Sequence, residues 1–355
     1  MAPIFAIAFL AGGAVATATL AADEAPAITH YRSGYDLLKA GDYRNAAIEL
    51  EMAIAADSTY MNAHYALGKA YTVLNQHAVA IRSLEAAGRH GMELPRMSGQ
   101  LAKLYHRQAL QLYKERKLVE AIDHFQRSLS HDGANAKALY VMGLSHSLLR
   151  DGEAAAGAFR RAVEVDPGYA KAYKSLGDLR RRIGNYGEAA TLYRQAIGAD
   201  AGLMEAYGGL AQVHLASEDF EAAVKVLRGA LELDPNYANG YVYLGMALNR
   251  LGRHNLSIEP LRKATDLDGK NAEAHYLLAE AYYGKADYQH AYDAGKRAVS
   301  SKRDYHAAQM LLGDICAKQV MVREAKSWYT KAMVDSRLKD YCRSKIEELD
   351  RSQRQ

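Results

Sequence analysis

Thirteen histidines and two cysteines are the side chains of this 355-residue sequence with the most chemistry open to them. Histidine serves as a general base or a metal ligand, and a metal site announces itself by spacing: an HExxH run, two His one helical turn apart, or Cys and His in a cluster. None of these occurs, since no two His stand four apart and neither Cys316 nor Cys342 belongs to a Cys–His cluster. No Gly-rich phosphate loop follows a strand-like run. The reading is of a chain with no catalytic residue, no metal ligands and no cofactor. Cys316 and Cys342 could form a disulfide in an oxidising compartment, or serve as small buried apolar residues. A net charge of +4 over this length is mild, and nucleic acid, which needs a concentrated basic stripe, is not an expected partner.

The elements that carry these residues are helices of fixed period. In 170–203 the first apolar window holds Tyr173, Leu176, Gly177 and Leu179 and breaks at Gly184-Asn185. The second holds Ala189, Ala190, Leu192, Tyr193, Ala196 and Ile197 and stops near Gly198. Three-and-four spacing is one buried helix stripe, and a short Gly-containing break folds the second helix back on the first. Repeated at a step of 34, the same offsets fall on the same kinds of residue over 27–94 and 102–339, nine times in all. Position 8 reads Gly34, Gly68, Ala109, Gly143, Gly177, Ala211, Gly245, Ala279 and Gly313, and positions 20 and 27 hold only Ala or Ser. Small residues belong where two helix backbones approach most closely. A single hairpin cannot bury both faces, so such units stack.

This pattern resembles the tetratricopeptide repeat (TPR) family: an aromatic at 4, Leu-Gly at 7–8, Tyr at 11, Gly at 15, Tyr at 17, Ala at 20, an aromatic at 24, Ala at 27 and Pro at 32. The fold implied is all-α, a right-handed α-solenoid of about nine helix-turn-helix repeats with a C-terminal capping helix. His30, His64 and His275 (position 4), His146 and His214 (11) and His77 and His254 (17) stand where the family places aromatics, so packed rings are expected. Pro95–Leu101 breaks the register, and extends the first helix of repeat three or forms a surface loop; an irregular joint there would part repeats 1–2 from 3–9. Gly295 replaces the aromatic of repeat eight and should loosen that hairpin. Residues 340–355 read as a capping helix and frayed tail, with Cys342, Ile346 and Leu349 on one apolar edge.

Function follows from surface rather than from chemistry. The resemblance implies that positions 2, 5, 9 and 12 or 13 of the first helices line a concave groove that holds a partner segment. Those residues are Lys103, His106 and Tyr113; Lys137, Tyr140 and Leu144; Lys171, Lys174, Asp178, Arg181 and Arg182; Gln212; and Tyr276, Glu280 and Tyr283. A groove basic in its middle with aromatic anchors suits a protein or peptide segment carrying acidic residues, although such charges can equally serve to solvate a helix face. The Lys and Asn arrangement of carboxylate-clamp members is not met, since Lys174 is followed by Asp178 and then Gln212.

Met1–Ala22 stands apart. Ile4 to Leu20 is uncharged, and Thr19 and Ala21 suit a signal-peptidase site, although no Lys or Arg precedes the run. No Cys follows it, which closes the lipoprotein route. The expectation is a signal peptide (1–22) and a periplasmic or otherwise exported chain; the alternative is a retained membrane anchor. Together these readings give a non-enzymatic scaffold in a Gram-negative envelope, within an assembly or secretion system. The alternatives are a self-assembling structural homo-oligomer and, behind it, an accessory subunit of an enzyme complex.

Overall fold

A computed structural model describes residues 25–353; the signal-peptide expectation falls on residues outside these. Among the described residues there are nineteen α-helices and no strand. The chain divides at Gly133–Ala134 into two compact units.

Unit 1 contains three helical hairpins: α1 (Pro26–Ala40) with α2 (Tyr43–Ala56), α3 (Met61–Val73) with α4 (His77–Arg89), and α5 (Leu94–Lys114) with α6 (Leu118–His131). Pro95 lies in the first turn of α5, where its missing N–H costs nothing, and the 21-residue helix then runs unbroken. Its buried Met97, Leu101 and Leu104 join Ile81 and Leu84 of α4 in one core.

Unit 2 contains six hairpins: α7 (Ala136–Leu148) with α8 (Gly152–Val165), α9 (Ala170–Arg182) with α10 (Tyr186–Ala199), α11 (Met204–Ala216) with α12 (Phe220–Leu233), α13 (Ala238–Arg250) with α14 (His254–Leu267), α15 (Ala272–Gly284) with α16 (Tyr288–Ser301), and α17 (His306–Lys318) with α18 (Val322–Ala332). The last helix, α19 (Lys339–Ser352), buries Cys342 and lays Ile346 and Leu349 on a core that includes Cys316 and Tyr329. Lys326 pairs with Asp350 across the same seam. The outward face of α19 is charged, as the end of a stack requires.

The 34-residue period is written in backbone conformation as well as in side chains. At position 15 of all nine repeats the chain turns through a left-handed residue, yet only Gly41, Gly184 and Gly252 are glycine. Asn75, Arg116, Arg150, Glu218, Ala286 and Val320 adopt the same φ, near +60°, at a cost of about 1–2 kcal/mol each that the packed helices on either side must offset. Val320, β-branched, is the least suited of the six. Side-chain caps on Asp42, Asp151, Asn185, Asp219 and Asp287 then start the second helices by accepting from the N–H three residues on. Between repeats, Asp57, Asp166, Asp200, Asp234 and Asp268 accept from the N–H two residues on, the local bond that closes an Asx turn.

Each glycine at position 8 is roofed by the side chain at position 24 of its own repeat. A Cβ added at Gly34 or Gly68 would lie 2.8 or 2.7 Å from Leu50 or Leu84, and at Gly143 or Gly177 it would lie 2.6 or 2.9 Å from Phe159 or Tyr193. Gly245 under Leu261 and Gly313 under Tyr329 repeat the arrangement. Tyr193, Phe159, Leu261 and Tyr329 are fully buried there.

Repeat eight departs from the expectation that Gly295 loosens its hairpin. Leu312, from the first helix of the next repeat, reaches to within 2.9 Å of where a Cβ on Gly295 would stand. Gly295 is itself buried. The space left by the missing aromatic is filled from a neighbouring hairpin, so the hairpin is packed, not slack.

Candidate functional site

The first helices carry the residues assigned to the groove, and in unit 2 most of these are engaged within the fold. On α9, Lys174 pairs with Asp178 at 2.8 Å, one helical turn on. Asp178 also accepts from the Tyr193 hydroxyl at 2.7 Å, and Arg181 Nε donates to that hydroxyl at 3.3 Å. Burial, and the Asp178 carboxylate beside it, push the Tyr193 phenol well above its ordinary pKa, so it remains a donor. Lys171 and Arg182 lie outside this cluster, exposed at either end of the helix.

The same holds elsewhere on the face. Gln212 Nε2 donates to the Tyr243 hydroxyl at 2.6 Å. Tyr140 packs between Phe159 and Tyr169, with ring centres at 5.6 and 5.2 Å. Tyr276 packs at a tilt against Tyr305, with ring centres 5.2 Å apart, and burial with Glu280 nearby pushes its phenol up to about 12. Glu280 in turn accepts from the buried Asn249 at 3.3 Å. Tyr283 meets Tyr288 at 5.8 Å. Leu144 is half-buried and Lys137 is exposed.

Unit 1 differs. His106 is packed edge-on against Phe125 and Tyr113 is half-buried, but Lys103 is exposed on the rim of a hollow of about 400 Å³. Leu38, Tyr43, Val73 and Leu104 form its floor beside Tyr35. Lys39, Lys69, Lys103 and Arg107 stand around it, and among the described residues no carboxylate lines it. Of these only Lys103 belongs to the set assigned from sequence. Tyr35, Lys39, Lys69 and Val73 occupy positions 9 and 13 of repeats one and two, so the offsets used for later repeats would have reached them. Arg107, at position 6, lies outside those offsets.

Among the described residues no three His, Cys, Asp or Glu are grouped to hold a metal ion. Cys316 and Cys342 are buried, unpaired thiols in one core; burial pushes Cys316 up to about 11 and raises Cys342, which keeps both protonated. Several histidines serve local structure. His64 and His275 each place Nε2 against the carbonyl six residues earlier, at 2.9 and 3.1 Å, and Gln309 donates to the equivalent carbonyl at 2.7 Å. His146 and His214 approach the capping Asp151 and Asp219 at 3.8 and 3.5 Å. No described helix is long and apolar enough to cross a membrane.

Comparison with known proteins agrees with this architecture. Three family models match: two described as tetratricopeptide repeat, over 181–248 and over 31–90 with 140–203, and one described as TPR repeat, over 245–285. The C-terminal part of a TPR repeat-containing protein from Cytophaga hutchinsonii aligns with 68% of this chain and 99% of its own at 12% identity and TM-score 0.55. A tetratricopeptide repeat protein from Parabacteroides merdae aligns with 70% of this chain and 99% of its own at 13% identity and TM-score 0.52. YrrB, a TPR protein with an unusual peptide-binding site, aligns with 52% of this chain and 95% of its own at 22% identity and TM-score 0.45. Among curated proteins, none matches the sequence. With matched repeats over more than half of its length and hairpins of one design in both units, the chain belongs to the tetratricopeptide repeat family.

Proposed function

We propose that the chain is a non-enzymatic scaffold that holds a partner protein by an acidic segment laid against the first helices of unit 2, in the envelope of a Gram-negative bacterium and within an assembly or secretion system. TPR proteins are interaction scaffolds that bind protein or peptide partners and are generally not enzymes. The observation that carries the finer reading is the set of cations on α7 and α9 left outside the internal pairs: Lys137, Lys171 and Arg182 are all exposed, and Lys137 precedes the aromatic Tyr140 by one helical turn. Exposed cations next to a ring favour a partner of opposite charge and set its rate of encounter more than its final affinity. Export rests on the uncharged run Ile4–Leu20 and the small residues Thr19 and Ala21.

The test is capture from envelope extract with wild-type chain and with a Lys137→Glu, Lys171→Glu, Arg182→Glu variant. A partner retained by the first and lost by the folded second supports the reading. Equal recovery by both rejects the unit 2 face. The N-terminal sequence of the protein recovered from fractionated cells tests export: a start at Asp23 supports cleavage, and an intact Met1 in the membrane fraction supports the anchor.

A homo-oligomer is the second reading, and one surface favours it. On α2, Ile48 and Met52 are one turn apart and 53% and 48% exposed, an apolar strip on the first hairpin. Sedimentation velocity of wild type against Ile48→Glu decides it, since a concentration-dependent species must vanish in the variant.

A further inference from the structure

We propose that the hollow on unit 1 binds a single-chain anionic amphiphile, an alkyl or acyl chain carrying a phosphate or carboxylate head. This goes beyond the scaffold reading and does not depend on it. At about 400 Å³ the hollow is within the range of small-ligand sites, roughly 300–1,000 Å³. Part of its apolar surface is left open to solvent: Val73 is 52% exposed and Tyr35 41%, beside the half-buried Leu38 and over the buried Leu104. Covering that surface with hydrocarbon is favourable in proportion to the area removed from water.

The rim fixes the sign of the head. Lys39 has a weak partner, Asp36 at 3.6 Å, whereas Lys69, Lys103 and Arg107 have no carboxylate within ion-pair reach among the described residues. Three cations facing one opening without counter-charge favour an anion, and guanidinium and ammonium groups together suit phosphate or carboxylate oxygens.

The scarcity of neutral hydrogen-bonding groups argues for an alkyl body over a peptide. An extended peptide brings an N–H and a C=O at every residue, each of which must be paired when buried. Besides the two tyrosines the lining offers only Thr72, whose hydroxyl already donates to Gly68 O at 2.7 Å, and Gln100. Gln100 Oε1 is buried without a partner and out of reach of the opening, so the lining offers nothing for a row of amides.

The test is calorimetric titration of the full chain with octyl, decyl and dodecyl phosphate and with dodecanoate, all below their micellar concentrations. Dodecyltrimethylammonium and an acidic decapeptide with a central Leu serve as controls. One site per chain is expected, with affinity rising about fourfold per added methylene until the hollow is full. The stronger of the phosphate and carboxylate arms identifies the head. Lys69→Glu with Lys103→Glu, both exposed positions, should weaken binding at least about tenfold while circular dichroism and melting stay unchanged. Val73→Asp should abolish the chain-length dependence. The proposal is overturned by absence of binding, by equal binding of the cationic amphiphile, by indifference to the Lys69 and Lys103 reversals, or by an acidic decapeptide that binds the hollow where the amphiphiles do not. The last outcome would make it a peptide-docking face.

Discussion

Two first-helix faces, built on the same offsets, use their charges in opposite ways. On unit 2, Lys174, Asp178 and Arg181 form a closed cluster around the Tyr193 hydroxyl, and Glu280 holds Asn249 in place. On unit 1, Lys69, Lys103 and Arg107 border a hollow that no acid lines among the described residues. Position in the repeat decides which way a side chain faces. Whether its charge remains available is decided by what stands one turn away, and by the size of the residue at position 24. Tyr193 can accept and donate in the cluster; Leu84, its counterpart in unit 1, can do neither.

Substitutions can break or sharpen this contrast. The largest effect is expected from Tyr193→Ala, which empties a fully buried ring site and removes the hydroxyl at the centre of the cluster; a loss of about 3–5 kcal/mol should appear in urea denaturation. The rim tyrosine of unit 1 is the matching control, with Tyr35→Ala expected to move stability by no more than about 0.5 kcal/mol. Equal losses would erase the distinction between the faces. Next, Asp178→Asn removes the charge that holds Lys174 and weakens the acceptor for Tyr193, at about 1–2 kcal/mol in the same assay.

Asp314 extends the contrast to pH. Burial raises its pKa against the opposing pull of the Tyr329 and Tyr341 hydroxyls, which donate to it at 2.7 and 2.9 Å, and of Lys345. The folded state therefore binds the Asp314 proton more tightly than the unfolded state does. Its contribution stands below the ordinary carboxylate pKa and is lost as pH rises through the raised value. Melting curves from about pH 4 to 7 should show wild type losing stability relative to Asp314→Asn as pH increases. The smallest effect belongs to unit 1, where Lys103→Ala should leave the melting temperature almost unchanged, within about 0.5 kcal/mol.

The sequence made the hairpins legible because small residues at positions 8, 20 and 27 recur at a fixed period, and backbones can approach only where side chains are small. The i, i+4 relation of Lys174 and Asp178 was equally visible. Arg181 with Tyr193 was not, because the bond joins two helices whose facing depends on how far Tyr193 leans over Gly177. Gly295 misled for a related reason: the atoms that fill its neighbourhood come from Leu312, and no property of the repeat considered alone reports them. The hollow of unit 1 was half legible. Tyr35, Lys39, Lys69 and Val73 sit on the standard offsets, whereas Arg107 joins them only once α5 is in place.

The reach of Leu312 into the space beside Gly295 sets a rule for cutting this chain. A repeat whose own side chain covers its own glycine needs no neighbour for that contact, so a boundary placed after it bares only the face on which the next hairpin stacks. Repeat eight is not finished until repeat nine arrives. A fragment ending at Ser301 would carry, besides the stacking face that any cut bares, a notch beside Gly295 and Ala279, whereas one ending at Leu267 keeps Leu261 over Gly245 and bares the stacking face alone. Equal in length to within one repeat, the two pieces should differ in how readily they associate, the longer more than the shorter.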